Sequence, residues 1–306
     1  MLNTFLNAQN VSGMKKNEHF SLLKRKAICV DISIYLYKFK QMAADNISKE
    51  TGELLEDPQT VLLRNIENMV EVFRKYQCEL VVVFDGKPPK EKQETLEERQ
   101  QVKKEAQSKR VVYQRMLLQR RHELSEDDCD ALCEKLRSEM KKSISITIAD
   151  VKAVKDLLEE LRVKYIQCES EADDECVRMV KKGDAWAVMS DDTDFIAQCC
   201  KRVIRNVDFE KERYDFINTQ IVMFSLNIKS QEFKYLCVLA GCEHYKHNSD
   251  VNIFKLYDYY CRFLRIQKEK KNDRNAATST NSFLEWLSRF IDFNVEEIQN
   301  IANTYM

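Results

Sequence analysis

Three short apolar runs along the chain each end in aspartate. Residues 27–30 (Ala-Ile-Cys-Val) precede Asp31, and residues 80–84 (Leu-Val-Val-Val-Phe) precede Asp85. A third run at 185–189 (Ala-Trp-Ala-Val-Met) leads into Ser-Asp-Asp-Thr-Asp at 190–194. Continuous apolar runs of this length are typical of strands that are buried on both faces of a parallel sheet.

Segments with helical periodicity separate these runs. Apolar residues three and four positions apart mark one helix face over 61–76, a second over 151–161 and a third over 172–180. Strands that alternate with helices indicate an α/β fold, with a mostly parallel central sheet flanked by helices and joined by right-handed crossovers.

Two regions interrupt the alternation. Residues 88–145 are highly charged, mostly helical in pattern and far longer than an ordinary connection. Residues 221–306 show a helical pattern throughout, with a polar break near 268–281. We therefore expect a core over 1–220 that carries a helical insertion at 88–145, followed by a C-terminal helical region over 221–306.

Composition narrows the class of protein. The net charge of −1 means that nucleic acid would have to bind at local basic patches, because no global positive field exists. With 5 glycines and 3 prolines, an all-β fold built on tight turns is disfavoured.

The eleven cysteines lie scattered among apolar residues, and no secretory signal precedes them. This pattern predicts a reduced, intracellular protein with free thiols in its core. No apolar run reaches about 18 residues, so a membrane span is not expected.

The aspartates at the strand ends form the strongest chemical signal. Ligands of parallel α/β sheets gather beyond the carboxyl ends of the strands, and a further acidic cluster follows at 170–175 (Ser-Glu-Ala-Asp-Asp-Glu). Carboxylates brought close together repel, so a cation must compensate them. Hard oxygen donors without paired histidine or cysteine favour Mg²⁺, with Mn²⁺ as a substitute.

Each acid also has a purely structural interpretation. Asp31 would cap a helix, Ser170 would be an N-cap with Asp173 three residues later, and Asp192 and Asp194 would begin the next helix. A cap accounts for one or two acids. It does not account for acids at the ends of three separate strands.

A basic strip follows the second strand. Gly86 permits a sharp turn there, and two helical turns place Lys92 and Arg99 on one helix face, about 10 Å apart. Residues 99–121 hold eight Lys or Arg against one acid. Such a strip suits a phosphate backbone, and its candidate contacts are Lys103, Lys104, Lys109, Arg110 and Arg115. The alternative is a solvated helix whose charges pair with the acidic residues at 122–130.

These motifs resemble those of the XPG-type structure-specific 5′ nucleases, which include the flap endonucleases. The resemblance spans roughly residues 24–245. It rests on Val-Asp-Ile-Ser at 30–33, Phe-Asp-Gly-Lys-Pro-Pro at 84–89, Ser-Glu-Ala-Asp at 170–173, Ser-Asp-Asp-Thr-Asp at 190–194 and Leu-Ala-Gly-Cys-Glu at 239–243. It implies a PIN-like nuclease fold in which residues 100–140 form an arch around a single-stranded 5′ end.

The resemblance also implies a role for each site residue. Asp31, Asp85 and Glu171 would bind one metal ion, and Asp173 would bridge to a second. Asp192 and Asp194 would bind the second ion with Glu243, which stands where the family has aspartate; Asp250 is the alternative ligand. Lys92 and Arg99 would contact the scissile phosphate, and a base would stack on Tyr37.

The implied activity is a two-magnesium endonuclease or exonuclease that hydrolyses phosphodiester bonds in flapped or nicked DNA during replication or repair. The implied setting is a monomer in the nucleus, or in the cytoplasm if the source is viral. Its products would carry a 5′ phosphate and a 3′ hydroxyl.

The sequence departs from the family at several points. Leu2 and Phe5 replace early glycines, and Gly241 is the last glycine. Residues 245–260 therefore lack the glycine hairpin that grips duplex DNA, which predicts a degenerate helix–two-turn–helix. No sliding-clamp peptide is evident at 301–306.

Three other functions stay open at this stage: an RNA endonuclease of the same superfamily, an inactive nucleic-acid-binding module on this fold, and a scaffold protein whose acids lie apart in space. A zinc site at Cys242, His244 and His247 is disfavoured, because a fourth ligand is absent.

Overall fold

A computed structural model describes residues 1–87, 93–120, 125–242, 245, 251–272 and 282–304. Within these ranges one seven-stranded sheet has the strand order β1-β7-β6-β5-β2-β3-β4. Its strands are β1 (Met14–His19), β2 (Ala27–Asp31), β3 (Glu79–Phe84), β4 (Lys164–Gln167), β5 (Ala187–Met189), β6 (Arg202–Asp208) and β7 (Arg213–Asn218).

The described helices account for most of the remaining chain. They are α1 (Leu2–Ala8), α2 (Ile32–Gln41), α3 (Pro58–Lys75), α4 (Gln93–Arg120), α5 (Glu126–Ser143), α6 (Ile148–Glu160), α7 (Ala172–Lys182), α8 (Asp194–Ala197), α9 (Thr219–Ser225), α10 (Ser230–Leu239), α11 (Ile253–Asn272), α12 (Phe283–Leu287) and α13 (Val295–Thr304).

The centre of the sheet is parallel, as the apolar runs predict. β2 lies between β3 and β5 and is parallel to both, with Asp31 opposite Val83 and Val30 opposite Met189. β4 and β6 extend the parallel part outward, whereas β7 and β1 add an antiparallel edge beyond β6. The predicted α/β class with a mostly parallel sheet is therefore confirmed.

Alternate residues of the central strands fill two different cores. Cys29, Val81 and Val188 face one core, which they share with α1, α7 and buried residues from Val222 to Ala302. Their strand neighbours face the opposite core, against α2, α3 and α6. The described C-terminal helices therefore share one apolar core with the sheet, α1 and α7, and the boundary predicted at residue 220 stays a prediction.

The insertion between β3 and β4 is helical, as expected. α4 has 28 residues, a length of roughly 42 Å, and α5 packs against it through a small cluster that includes Leu117 and Leu136. Ala44 and Ile47 join the same cluster. The hairpin of α4 and α5 is therefore anchored on the segment that follows α2.

The polar break predicted at 268–281 begins later than expected. α11 continues through the charged run to Asn272, because lysine and glutamate are good helix formers even without apolar periodicity. The remainder of the break, 273–281, lies outside the described residues. None of the helices in the described ranges is long and apolar enough to cross a membrane.

The aromatic core beneath β2 generates a stability prediction. Phe20 is fully buried and stacks on Tyr214 with ring centroids 5.7 Å apart. We expect Phe20→Ala to lower the free energy of unfolding by about 3–5 kcal/mol, measured by urea denaturation. The matched control is Phe224→Ala, since Phe224 is 86% exposed. Equal losses in the two variants would contradict this assignment of the core.

Candidate functional site

Acids from four separate segments meet at the carboxyl edge of the sheet. Asp31, Asp85 and Asp192 follow β2, β3 and β5, and the start of α7 brings Glu171 and Asp173 to the same place. All five line one cleft of about 380 Å³. The scaffold interpretation required the acids to lie apart, so the structure does not support it.

Asp31 is both a helix cap and a wall of the cleft. Its carboxylate accepts a hydrogen bond from the Ser33 backbone N–H at 3.3 Å, which caps α2, and another from the Ser190 hydroxyl at 2.9 Å. The side chain is 4% exposed. Burial, and then the charge of Asp85, raise its pKa to about 7. The structural interpretation of Asp31 is therefore correct without excluding a chemical role.

Gly86 allows Asp85 to reach α7. A Cβ on Gly86 would lie 2.3 Å from the backbone carbonyl of Glu169, and the Gly86 N–H donates to the Ser170 carbonyl at 2.5 Å. Asp85 in turn accepts from the Ala172 N–H at 2.8 Å. The predicted turn therefore needs glycine because two backbone segments are in contact there. The φ angle of Gly86 is not positive, so backbone strain is not the reason.

Asp173 lies where the repulsion is strongest. Burial, and then the charges of Asp31, Asp192, Asp85 and Glu171, raise its pKa to about 8. The structural interpretation in which Ser170 caps α7 is not supported: the N-cap residue is Glu171, which makes no capping hydrogen bond with its side chain. A cap therefore does not explain the Glu171 carboxylate.

The segment after β5 folds as a tight turn. Asp192 accepts from the Asp194 N–H at 2.9 Å, and its own N–H donates to the Ser190 hydroxyl at 3.1 Å. Asp194 begins α8, as the structural interpretation predicts, and is not part of the cleft lining. Asp191, which the motifs did not single out, accepts from the Asn206 N–H at 2.7 Å and anchors this turn on β6.

Two hydroxyl groups that hydrogen-bond to the cleft carboxylates were not predicted from the sequence. Ser190 donates to Asp31, and Ser33 donates to Asp85. Both serines lie within the motifs at 30–33 and 190–194, and their position beside the aspartates could have indicated this role. They hold carboxylates that would otherwise repel one another.

The carboxylate oxygens of the cleft suit a hard divalent cation, although they do not converge on one position. Across the described ranges, no group of three His, Cys, Asp or Glu side chains is arranged to hold a metal ion. The described lining of the cleft nevertheless offers five carboxylates and neither His nor Cys, and the raised pKa values of Asp31 and Asp173 indicate a repulsion that Mg²⁺ or Mn²⁺ would relieve.

The other wall of the cleft is basic and aromatic. Arg99 and Tyr37 border it, and the Lys103 ammonium lies 5.0 Å from the Tyr37 ring while donating to its hydroxyl at 3.3 Å. Lys104, Lys109 and Arg115 are exposed along α4, and Arg110 is partly exposed. Asp130 belongs to the acidic stretch that the alternative interpretation pairs with this strip, but it forms an ion pair with Lys49 at 2.5 Å.

Several predicted residues lie outside the described ranges: Lys92, Glu243, Asp250, His244 and His247. The eleven cysteines are all free thiols, in agreement with the expected reduced core.

Two family models match the chain. The XPG N-terminal domain matches residues 2–106, and the XPG I-region matches residues 162–243. Together they cover more than half of the chain.

Curated relatives point the same way. Flap endonuclease 1 of Leishmania braziliensis is 26% identical over 253 residues, covering 79% of this chain and 59% of the relative. The corresponding protein of Candida glabrata is 27% identical over 253 residues, covering 79% of this chain and 60% of the relative. The chain therefore spans about three fifths of the length of these relatives.

Solved structures show the same fold. The catalytic core of Rad2 in complex with DNA substrate matches with a TM-score of 0.63 and 17% identity, over 99% of this chain and 85% of the other. Flap endonuclease-1 from Methanococcus jannaschii matches with a TM-score of 0.55 and 20% identity, over 95% of both chains.

The close approach at Gly86 generates a testable substitution. Gly86→Ala must push the loop after β3 away from residues 168–170, and we expect it to lower the free energy of unfolding by about 1–3 kcal/mol. Gly183→Ala is the control, because a Cβ there meets nothing within 4 Å and only its φ of +87° is strained, a cost of about 1 kcal/mol. Urea denaturation measures both; a smaller loss at Gly86 than at Gly183 would refute the explanation.

The raised pKa values generate a pH prediction for the metal-free protein. In the folded protein the pKa of Asp31 is raised to about 7 and that of Asp173 to about 8, from the ordinary value of 3.8. Between about pH 4 and pH 8 the folded state holds more protons, so its stability falls as pH rises. We expect the urea midpoint in EDTA to drop from pH 5 to pH 8.5, and Asp173→Asn to flatten that drop.

The control for the pH series is Asp174→Asn, which removes an exposed carboxylate from the same helical turn. It should keep the wild-type slope. An unchanged slope in Asp173→Asn would show that the acids do not repel as described.

Proposed function

This chain belongs to the XPG-type nuclease family, and on that premise we propose that it is a magnesium-dependent 5′ nuclease of flapped or nicked DNA. The observation that carries the proposal is the convergence of Asp31, Asp85, Glu171, Asp173 and Asp192 from four separate segments on one cleft. An arrangement of this kind is unfavourable unless a cation neutralises it.

The proposed metal site uses the acids of the cleft. Asp31, Asp85 and Glu171 would hold one Mg²⁺, Asp173 would lie between two ions, and the second would be held by Asp192, Asp194 and Glu243. When bound, such ions supply an activated water and stabilise the leaving oxygen. Mn²⁺ offers the same hard coordination.

The chain's own residues would orient these groups. The Ser190 hydroxyl and Ser33 N–H fix the Asp31 oxygens, and the Ala172 N–H fixes an oxygen of Asp85. Hydrogen bonds of this kind restrict the carboxylates and so lower the cost of arranging them around an ion. Arg99 borders the cleft and, with Lys92, would offset the negative charge that develops on the scissile phosphate.

The nucleic acid would enter along α4. Tyr37 is 37% exposed with the Lys103 ammonium beside its ring, so a base that stacks on Tyr37 would leave Lys103 free to contact a phosphate. Lys104, Lys109, Arg110 and Arg115 continue this positive track along the helix. Residues 88–145 would thus form the arch of a nuclease core that spans 1–220. Residues 221–306 would support that core.

DNA is the proposed partner, and a monomer in the nucleus, or in the cytoplasm if the source is viral, is the proposed setting. RNA is the alternative substrate, because none of the described cleft residues has been given a role in recognising a 2′ hydroxyl. Substrate choice is therefore part of the test.

The test is a cleavage panel with 5′-flap DNA, nicked duplex and RNA of the same sequence, in Mg²⁺, in Mn²⁺ and in excess EDTA. We expect cleavage of flap or nicked DNA that EDTA abolishes. Asp173→Asn should lower the rate by at least about a hundredfold, whereas Asp174→Asn should stay close to wild type.

Full turnover in EDTA, or equal rates for the two variants, would overturn the metal mechanism. Faster cleavage of RNA than of DNA would replace the DNA substrate with the RNA alternative. Binding without cleavage of any substrate would identify an inactive nucleic-acid-binding module.

A further inference from the structure

A buried arginine lies behind the turn that follows β5. Arg205, on β6, is only 7% exposed and is not among the described residues that line the acidic cleft. Its guanidinium donates to the Asp191 carbonyl and, at 2.6 Å, to the side-chain oxygen of Asn3 on α1. Arg205 therefore joins α1 to the segment that carries Asp192 into the cleft, although it does not line the cleft itself.

Stability alone does not account for a guanidinium at this position. Both of its hydrogen bonds go to neutral oxygens, and its Nε atom is buried without a hydrogen-bond partner in the described part of the chain. Burial lowers the pKa of Arg205, and the charges of neighbouring aspartates, Asp191 first, act in the opposite direction. A cation buried in this way is costly. What its two hydrogen bonds hold in place therefore matters more than their contribution to stability.

Three consecutive residues of β6 hold the turn after β5. The Ser190 N–H donates to the Ile204 carbonyl at 3.1 Å. Arg205 donates to the Asp191 carbonyl, and the Asn206 N–H donates to the Asp191 carboxylate at 2.7 Å. The backbone and the side chain of one residue are thus both fixed on the strand, immediately before the residue that enters the cleft.

The strand itself is irregular at this point. The pairing of β6 with β7 shifts register between Arg205 and Asp208, and Asn206 has a φ of +47°. Asparagine adopts this left-handed conformation more readily than most residues. Bulges of this kind bend a strand, re-aim side chains and are frequent next to active sites. The irregularity begins at the residue whose guanidinium holds the turn.

Asn3 fixes the other side of the guanidinium. It lies on α1, whose Phe5 is fully buried and meets the rings of Phe254 and Tyr257 edge-on, each at 5.3 Å. The apolar side of α1 is therefore anchored in the core, and Asn3 is held in place with it. A planar guanidinium, with its donors in a fixed fork, suits two acceptors that belong to different segments.

We propose that Arg205 is a positioning residue for the metal site. Through the Asp191 carbonyl it fixes the turn that presents Asp192, and through Asn3 it makes α1 part of the same support. The inference rests on the two-ion site proposed above and concerns the ion that Asp192 would hold. Groups that orient metal ligands from behind change metal affinity by about 10–100-fold when they are removed.

The first test is binding of Mn²⁺ to the whole chain, with free Mn²⁺ followed by electron paramagnetic resonance, in the wild type and in Arg205→Lys. Lysine keeps the positive charge and loses the fork that reaches two acceptors. We expect one Mn²⁺ site to lose affinity about tenfold and the other to keep its affinity. Asp192→Asn should weaken the same site, which identifies the ion concerned.

Asn3→Ala keeps the arginine and removes its partner on α1. It should weaken the same Mn²⁺ site by a smaller factor than Arg205→Lys. The double variant should be no weaker than Arg205→Lys alone, because both changes act through one contact. Asn7→Ala is the matched control, since Asn7 is exposed on the same helix, and it should leave both sites unchanged.

A second measurement needs no metal. In EDTA, amide hydrogen exchange of residues 190–194 reports how firmly the turn is held. We expect faster exchange there in Arg205→Lys and in Asn3→Ala, and wild-type exchange in Asn7→Ala. Because a positioning residue acts on the turn alone, exchange in β2 and β3 should stay slow in all three variants.

Three results would overturn the inference, and they have different consequences. Unchanged Mn²⁺ affinity in Arg205→Lys would remove the positioning role and leave the two-ion site standing. Faster exchange throughout β2 and β3 would assign Arg205 to the stability of the whole fold. No Mn²⁺ binding by the wild type would remove the two-ion site, and this inference with it.

Discussion

Electrostatic repulsion among carboxylates at one edge of the sheet is the constraint around which this structure is organised. Carboxyl groups from β2, β3, β5 and α7 line a single cleft, and the most enclosed of them have pKa values raised to about 7 and about 8. Packing alone would favour apolar residues there, since unpaired buried charge is costly. The fold holds these groups together through Ser33, Ser190 and backbone N–H donors, which orient the oxygens without neutralising them.

The parallel sheet makes this concentration of charge geometrically possible. Because β2 is in parallel register with both β3 and β5, their final residues arrive at the same edge, whatever their separation along the chain. The contact of Gly86 with residues 168–170 then brings the start of α7 within hydrogen-bonding distance of Asp85. The site therefore depends on sheet register and on one close backbone approach, and its connections can vary widely in length.

Much of this was predictable from sequence, and the failures have physical causes. The buried runs ending at Asp31 and Asp85 predicted the central strands, because strands covered on both faces are continuously apolar. β1, β4, β6 and β7 were not predicted. Met14–His19 is largely polar, Lys164–Gln167 has no fully buried residue, and β6 and β7 mix polar with apolar residues. The close contact of Gly86 with residues 168–170 was not predicted either, because it joins segments distant in sequence.

The two ends of α7 show how an ordinary helical preference differs from a site. Acids at the start of a helix and lysines at its end both offset the helix dipole, and α7 has Asp173 and Asp174 in its first turn and Lys181 and Lys182 in its last. The dipole effect involves the helix alone. At the first end, acids from three other segments face Asp173. Charges of one sign that converge from separate segments raise the free energy of the protein alone. They therefore support the proposed divalent cation at the start of α7, whereas the lysines in its last turn are explained by the helix dipole alone.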